Sequence, residues 1–214
     1  MKRFLFFLTL FVALSGNLNA QVEFTGNGDG FSWDDPFNWI NDEVPLFGDD
    51  ILIDGFFVYY YGDGEIYGNV ELAGSADLFI AGDLYLYGNF TVGEFSSLTM
   101  DVGSDGRFNR VIFDDEFLDE ENPPQFIFDG SLNVDFTGYV PRIDDEFEFF
   151  IGTQGLCDTP ASILTPDSLS NGFEVALDSQ CEEGETDSVV YMVTGITYTT
   201  AIQWDGEAGD GLWN

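Results

Sequence analysis

Residues 67–102, YGNVELAGSADLFIAGDLYLYGNFTVGEFSSLTMDV, decide the fold of this chain. Apolar residues alternate in short runs: Val70/Leu72, Leu78/Ile80, Leu84/Leu86, Phe90/Val92 and Leu98/Met100/Val102. A period of two puts each run on one face of a strand, and that face is the buried one. Turn pairs separate the runs, at Gly68-Asn69, Gly74-Ser75, Gly82-Asp83 and Gly88-Asn89. A meander of hairpins gives the same alternation. Glycine turns this frequent leave no room for long hairpin arms, and the reading favoured is successive arcs of a parallel β-solenoid. Tyr85 and Tyr87 then fall on the outer face, opposite Leu84 and Leu86.

Outward from this stretch the chain stays strand and turn. Gly, Asn and Asp interrupt it too often for ten-residue helices. Residues 21–66 read as a tryptophan-containing cap with the first strands, and residues 67–113 as the solenoid. Residues 114–124, DDEFLDEENPP, are a solvated acidic loop. Strands resume at 126–128, 132–136 and 146–151, and 173–177 and 189–193 close the series. The fold class is therefore all-β, a short parallel solenoid followed by a β-rich segment, 125–200, that packs as a small sandwich.

The chain has 214 residues, 44% hydrophobic and 17% aromatic, too apolar for a disordered acidic tail. It has no histidine, which removes Ser-His-Asp and Cys-His machinery and any His-ligated metal. Residues 1–20 read as a secretory signal peptide. Lys2 and Arg3 precede an apolar run over 4–14, and small and polar residues lead to a cleavage point after Ala20. Beyond it stand 40 acids against three bases, Arg107, Arg110 and Arg142, a formal charge of −37. That surface excludes nucleic acid as a partner. Its favoured explanation is solubility in a saline medium, with specific calcium binding as the sharper alternative. In an exported chain the isolated pair Cys157 and Cys181 reads as a disulfide. It would close a loop of about 25 residues and contribute roughly 3 kcal/mol on the chain-entropy account.

Two segments resemble a known group. Gly28-Asp29-Gly30-Phe31-Ser32-Trp33-Asp34-Asp35-Pro36-Phe37-Asn38-Trp39 is followed by Val44-Pro45 and Gly48-Asp49-Asp50-Ile51-Leu52-Ile53. It is similar to the "GDG-x-W-x-D-P-x-N-W" opening of exported bacterial β-solenoid surface proteins of the autotransporter-passenger-like kind. Residues 132–136 and 139–151 resemble the "L-x-V-x-L … P-x-x-G-D-x-F-x-I-L" segment that follows the solenoid in that group, with Asp144-Asp145 in place of Gly-Asp. The resemblance implies secretion and architecture, and no single activity. Gly209-Asp210-Gly211 and Trp213 repeat the opening, so residues 201–214 read as the truncated start of a second repeat unit.

The function expected is that of a secreted or cell-surface structural or adhesion-type repeat protein, located outside the cell or on its surface, with no catalytic residues and no cofactor. A neutral-glycan hydrolase needs only two carboxylates, but 40 acids single out no pair. The runner-up is a carbohydrate-binding module of a larger exported protein, recognising extracellular glycan or cell-surface components. Tyr59, Tyr60, Tyr61, Tyr85 and Tyr87 are the stacking candidates, with Tyr85 and Tyr87 foremost, against cross-strand aromatic pairing as the plain alternative. Trp33 and Trp39 are expected to cap the solenoid end. Asp29, Asp34 and Asp35 are close enough in sequence to suggest calcium, but Asp-Gly turn chemistry explains them more simply.

Overall fold

The computed structural model describes residues 21–62, 64–113, 124–142, 144–152, 173–180 and 187–196. The expected signal peptide, nearly all of residues 114–124 expected as an acidic loop, the expected disulfide pair Cys157 and Cys181, and the repeated Gly-Asp-Gly near the C-terminus lie outside the described residues. Those described hold fifteen strands. In order they are β1 (Gln21–Glu23), β2 (Asp50–Asp54), β3 (Phe57–Tyr60), β4 (Ile66–Tyr67) and β5 (Val70–Ala73), then β6 (Asp77–Ile80), β7 (Leu84–Leu86), β8 (Phe90–Val92), β9 (Ser97–Gly103) and β10 (Val111–Phe113). There follow β11 (Phe126–Phe128), β12 (Ser131–Thr137), β13 (Glu146–Gly152), β14 (Phe173–Gln180) and β15 (Asp187–Ile196). Among the described residues the helical content is two 3-10 turns, Pro36–Asn38 and Ile40–Asp42.

From β2 to β13 consecutive strands are dealt in rotation to three sheets. The first is β1-β2-β5-β8-β11, the second β3-β6-β9-β12, and the third begins β4-β7-β10-β13. Every pair in these runs is parallel. Parallel pairing overturns the hairpin meander over 67–102, because sheet neighbours there are 19–20 residues apart in sequence. The ten residues expected on the inner face, Val70, Leu72, Leu78, Ile80, Leu84, Leu86, Phe90, Val92, Leu98 and Met100, are all completely buried. The three inner faces share one apolar core.

Register gives the period. Val58 pairs Leu78, which pairs Leu98, and Val70 pairs Phe90, each step being 20 residues. Ile51 to Val70 and Ile66 to Tyr85 take 19. Corner geometry enforces the repeat. A Cβ on Gly88 would lie 2.6 Å from the carbonyl carbon of Gly68, so the Tyr-Gly-Asn corners at 67–69 and 87–89 stack only as glycine. The next position is tied from layer to layer. Asp50 Oδ1 accepts the Asn69 N–H, Asn69 Oδ1 accepts the Asn89 N–H, and Asn89 Oδ1 accepts the Gln125 N–H, at 2.7–2.8 Å. In sequence the acidic segment falls between β10 and β11. Phe126 pairs Phe90, 36 residues earlier, so β11 keeps the parallel register of the first sheet across the longer connection.

Residues 21–39 cover the N-terminal end. β1 pairs β2 at the edge of the first sheet, and Trp33 N–H donates to the Tyr59 carbonyl at the edge of the second. Trp33 and Trp39 are buried, packed edge-to-face at 4.8 Å, with Trp33 against Tyr60 and Tyr67 of the first circuit. At the other end the separate sandwich expected for 125–200 is corrected. β11, β12 and β13 extend the three existing sheets in parallel, because Phe126, Leu132 and Phe150 continue the same apolar ladder. An antiparallel pair then lengthens the third sheet, β15 on β13 and β14 on β15.

Candidate functional site

The Gly-Asp-Gly loop is held by its own side chains. Asn38 is fully buried. Its Oδ1 accepts the N–H groups of Gly28 and Gly30 at 2.9 and 3.0 Å, while Nδ2 donates to Asp29 Oδ1 at 2.7 Å and the Ser32 carbonyl at 2.8 Å. Asp29 Oδ1 also accepts Phe31 and Ser32 N–H. Asp35 Oδ2 accepts Asp29 N–H, and its Oδ1 caps the first 3-10 turn at Phe37 N–H. The motif letters thus have mechanical roles: two carboxylates and an amide bind backbone donors and seat the tryptophans. Among the described residues no group of three or more acidic or cysteine side chains is arranged to hold a metal.

The backbone donors of Phe31 and Ser32, aided by Asn38, hold the Asp29 carboxyl below its ordinary value. A lowered folded pKa stabilises above the unfolded value, and that stabilisation disappears as pH falls through the folded one. Asp29→Asn keeps an acceptor but loses the charge. We expect wild type to be the more stable of the two at pH 7, with the difference vanishing toward pH ~2, well below the ordinary Asp range. Denaturant unfolding at both pH values measures it, and a pH-independent difference would contradict the assignment.

Tyr85 and Tyr87 are half-buried and alternate with the buried Leu84 and Leu86. Tyr85 stands on the outer face of the third sheet, in register with Ile66 and Ile112. Tyr87 lies just beyond β7, where its ring tilts against Phe47 at 6.2 Å and its hydroxyl donates to the Gly48 carbonyl at 3.2 Å. Tyr87 therefore braces a corner.

The tyrosine triplet divides by alternation. Tyr60 points inward, fully buried, and its hydroxyl donates to the Asp83 carbonyl. Tyr59 faces out with Phe57 and, just past the strand end, Tyr61. Register across the second sheet sets these side chains beside those of three more strands. One row is Phe57, Asp77, Ser97 and Ser131, and the next is Tyr59, Phe79, Thr99 and Asn133. Asp101 and Asp135 pair in a third row. Tyr59 stacks on Phe79 at 4.3 Å and 21° and on Tyr61 at 4.9 Å and 29°. Thr99 Oγ1 donates to Asp77 Oδ1 at 3.1 Å. Burial holds the Asp77 carboxyl above its ordinary value against the hydrogen bonds of Ser97 and Thr99. The sequence offered a signal for this face: the 20-residue step that aligns Tyr59, Phe79 and Thr99.

A polar groove of about 380 Å³ lies elsewhere, on the first sheet, between Gln21, Asp50, Asn69, Glu71, Asn89 and Thr91. The aromatic row and this groove occupy different sheets, so no single cleft gathers both. No protein-family description, curated protein or solved structure matches the chain.

Proposed function

We propose that this is an exported, non-catalytic surface protein of structural or adhesion type, built as a short β-solenoid. The observation that carries the reading is the rotation of strands through three parallel sheets, at a 19–20-residue step from β2 to β9, with its inner ladder buried and one end closed by Trp33 and Trp39. Such a stack is stiff and extends by adding layers. Support for export comes from the apolar leader and from the resemblance of residues 28–53 to exported solenoid proteins. The acidic surface suits a saline exterior. No described helix is long and apolar enough to cross a membrane.

Fractionation of cells producing the full chain tests this reading. The expected product begins at Gln21 and is found outside the cytoplasm, on the surface or in the medium. Cytoplasmic protein that still begins at Met1 would overturn it.

A second reading, a carbohydrate-binding module, is favoured by one observation. Phe57, Tyr59, Tyr61 and Phe79 share an outer sheet face with Thr99, Asn133, Asp101 and Asp135. Flat apolar rings beside hydrogen-bonding groups match the two kinds of surface a sugar presents. Binding of the mature chain to any glycan on an array tests this reading.

A further inference from the structure

We infer that the outer face of the second sheet binds an uncharged glycan, with a sugar ring against the exposed aromatic side chains of β3 and its hydroxyls on Asp101 and Asp135. This rests on the glycan-binding reading above and names its place and ligand class.

The first argument is exposure. Phe57 is 44% exposed, Tyr61 55%, and Phe31, whose carbonyl accepts Tyr59 N–H beside this edge, 47%. These rings leave apolar surface in water on a chain of formal charge −35, and contiguous apolar patches of that kind mark interaction surfaces. Packing also leaves the outermost rings accessible. Tyr59 is covered by Phe79 and Tyr61, Phe79 is 7% exposed, and Tyr61 remains open.

The second argument is charge. Asp77, Asp101 and Asp135 stand on this face, and β3, β6, β9 and β12 contain no lysine or arginine. An anionic ligand would be repelled. So would a second copy of the chain, whose formal charge is −35. An uncharged polyol meets neither obstacle, and carboxylates are strong acceptors for its O–H groups. Burial, then Tyr61, Asp101 and Asp135, hold the Tyr59 phenol above its ordinary value, so it stays protonated and able to donate.

The third argument is shape. Strands about 4.8 Å apart make the face from β3 to β12 roughly 14 Å wide. Aromatic rings lie at the β3 side and polar groups at the β9 and β12 side. This strip suits an oligosaccharide running obliquely from the rings at β3 to Asp101 and Asp135.

The test uses the mature chain on an array of neutral glucans, mannans and xylans beside the uronate polymers alginate and polygalacturonate. We expect at least one neutral glycan to bind and the uronates to fail. Tyr61→Ala and Phe57→Ala should each weaken binding about tenfold, as loss of an aromatic contact does. Tyr85→Ala should bind as wild type. Tyr61 and Phe57 are exposed enough for the variants to fold, and thermal melts verify it. Should either melt show an unfolded protein, Asp101→Asn replaces that variant, with weakened binding expected. Neutral-glycan binding indifferent to Tyr61→Ala and Phe57→Ala overturns the location while leaving the glycan reading standing. Preference for uronates overturns the ligand class, and no binding to any glycan overturns the reading beneath both. Retention only on a polycationic surface, released by salt, would identify a cationic partner and also overturn the inference.

Discussion

Leu84→Asp is expected to abolish folding, whereas Tyr85→Asp one residue later should yield a folded, soluble protein. Leu84 is completely buried on β7, between β4 and β10 of the third sheet, in register with Val111. An aspartate there loses the leucine's apolar contacts and places an unpaired carboxylate among aliphatic side chains. The combined cost is more than about 4 kcal/mol, a large share of the whole stability of a single domain. Tyr85 faces the other way, half exposed between Ile66 and Ile112, and its replacement should cost about 1 kcal/mol. Circular dichroism and denaturant melts of the two variants decide it. A folded Leu84→Asp protein would mean that the inner and outer faces have been exchanged.

The next largest effect is expected at the N-terminal closure. Trp33→Ala should destabilise by about 3–5 kcal/mol, the range for removing a large buried aromatic ring. Trp33 packs on Trp39, Tyr60 and Tyr67 at 4.8–5.3 Å, and its Nε1 donates to the Tyr67 hydroxyl at 3.3 Å. Its backbone carbonyl accepts Trp39 Nε1 at 2.7 Å, an anchor the alanine retains, so the loss is that of the Trp33 ring itself. Without this lid the first layer would present Tyr60, Tyr67 and the ends of the aliphatic ladder to water. Phe37→Ala is the control, because Phe37 is largely exposed on the same segment and should cost little. Equal, small losses in both variants would show that the core is closed by something else.

The sequence by itself determined the strands, their inner faces and the turns. Alternation within residues 67–102 assigns Val70 through Met100 to the core because a pleated strand has only two faces, and one of them must leave water. Strands at 173–177 and 189–193 were legible for the same reason and lie within the longer β14 and β15. The tertiary structure decided which strands meet. Alternation is identical in a hairpin and in a parallel layer. The parallel answer depends on whether Gly88 can approach Gly68 and Asn89 can reach Asn69, contacts made across 20 residues. The same limit explains the sandwich wrongly expected for 125–200. Beyond β9 the step lengthens to 27–39 residues and hides the period, yet Phe126 still pairs Phe90 in parallel. It also explains the aromatic face. Tyr59 is a stacking candidate on its own in sequence, and it forms one surface with Phe79 and Thr99 because parallel register brings every twentieth residue to the same column of the sheet.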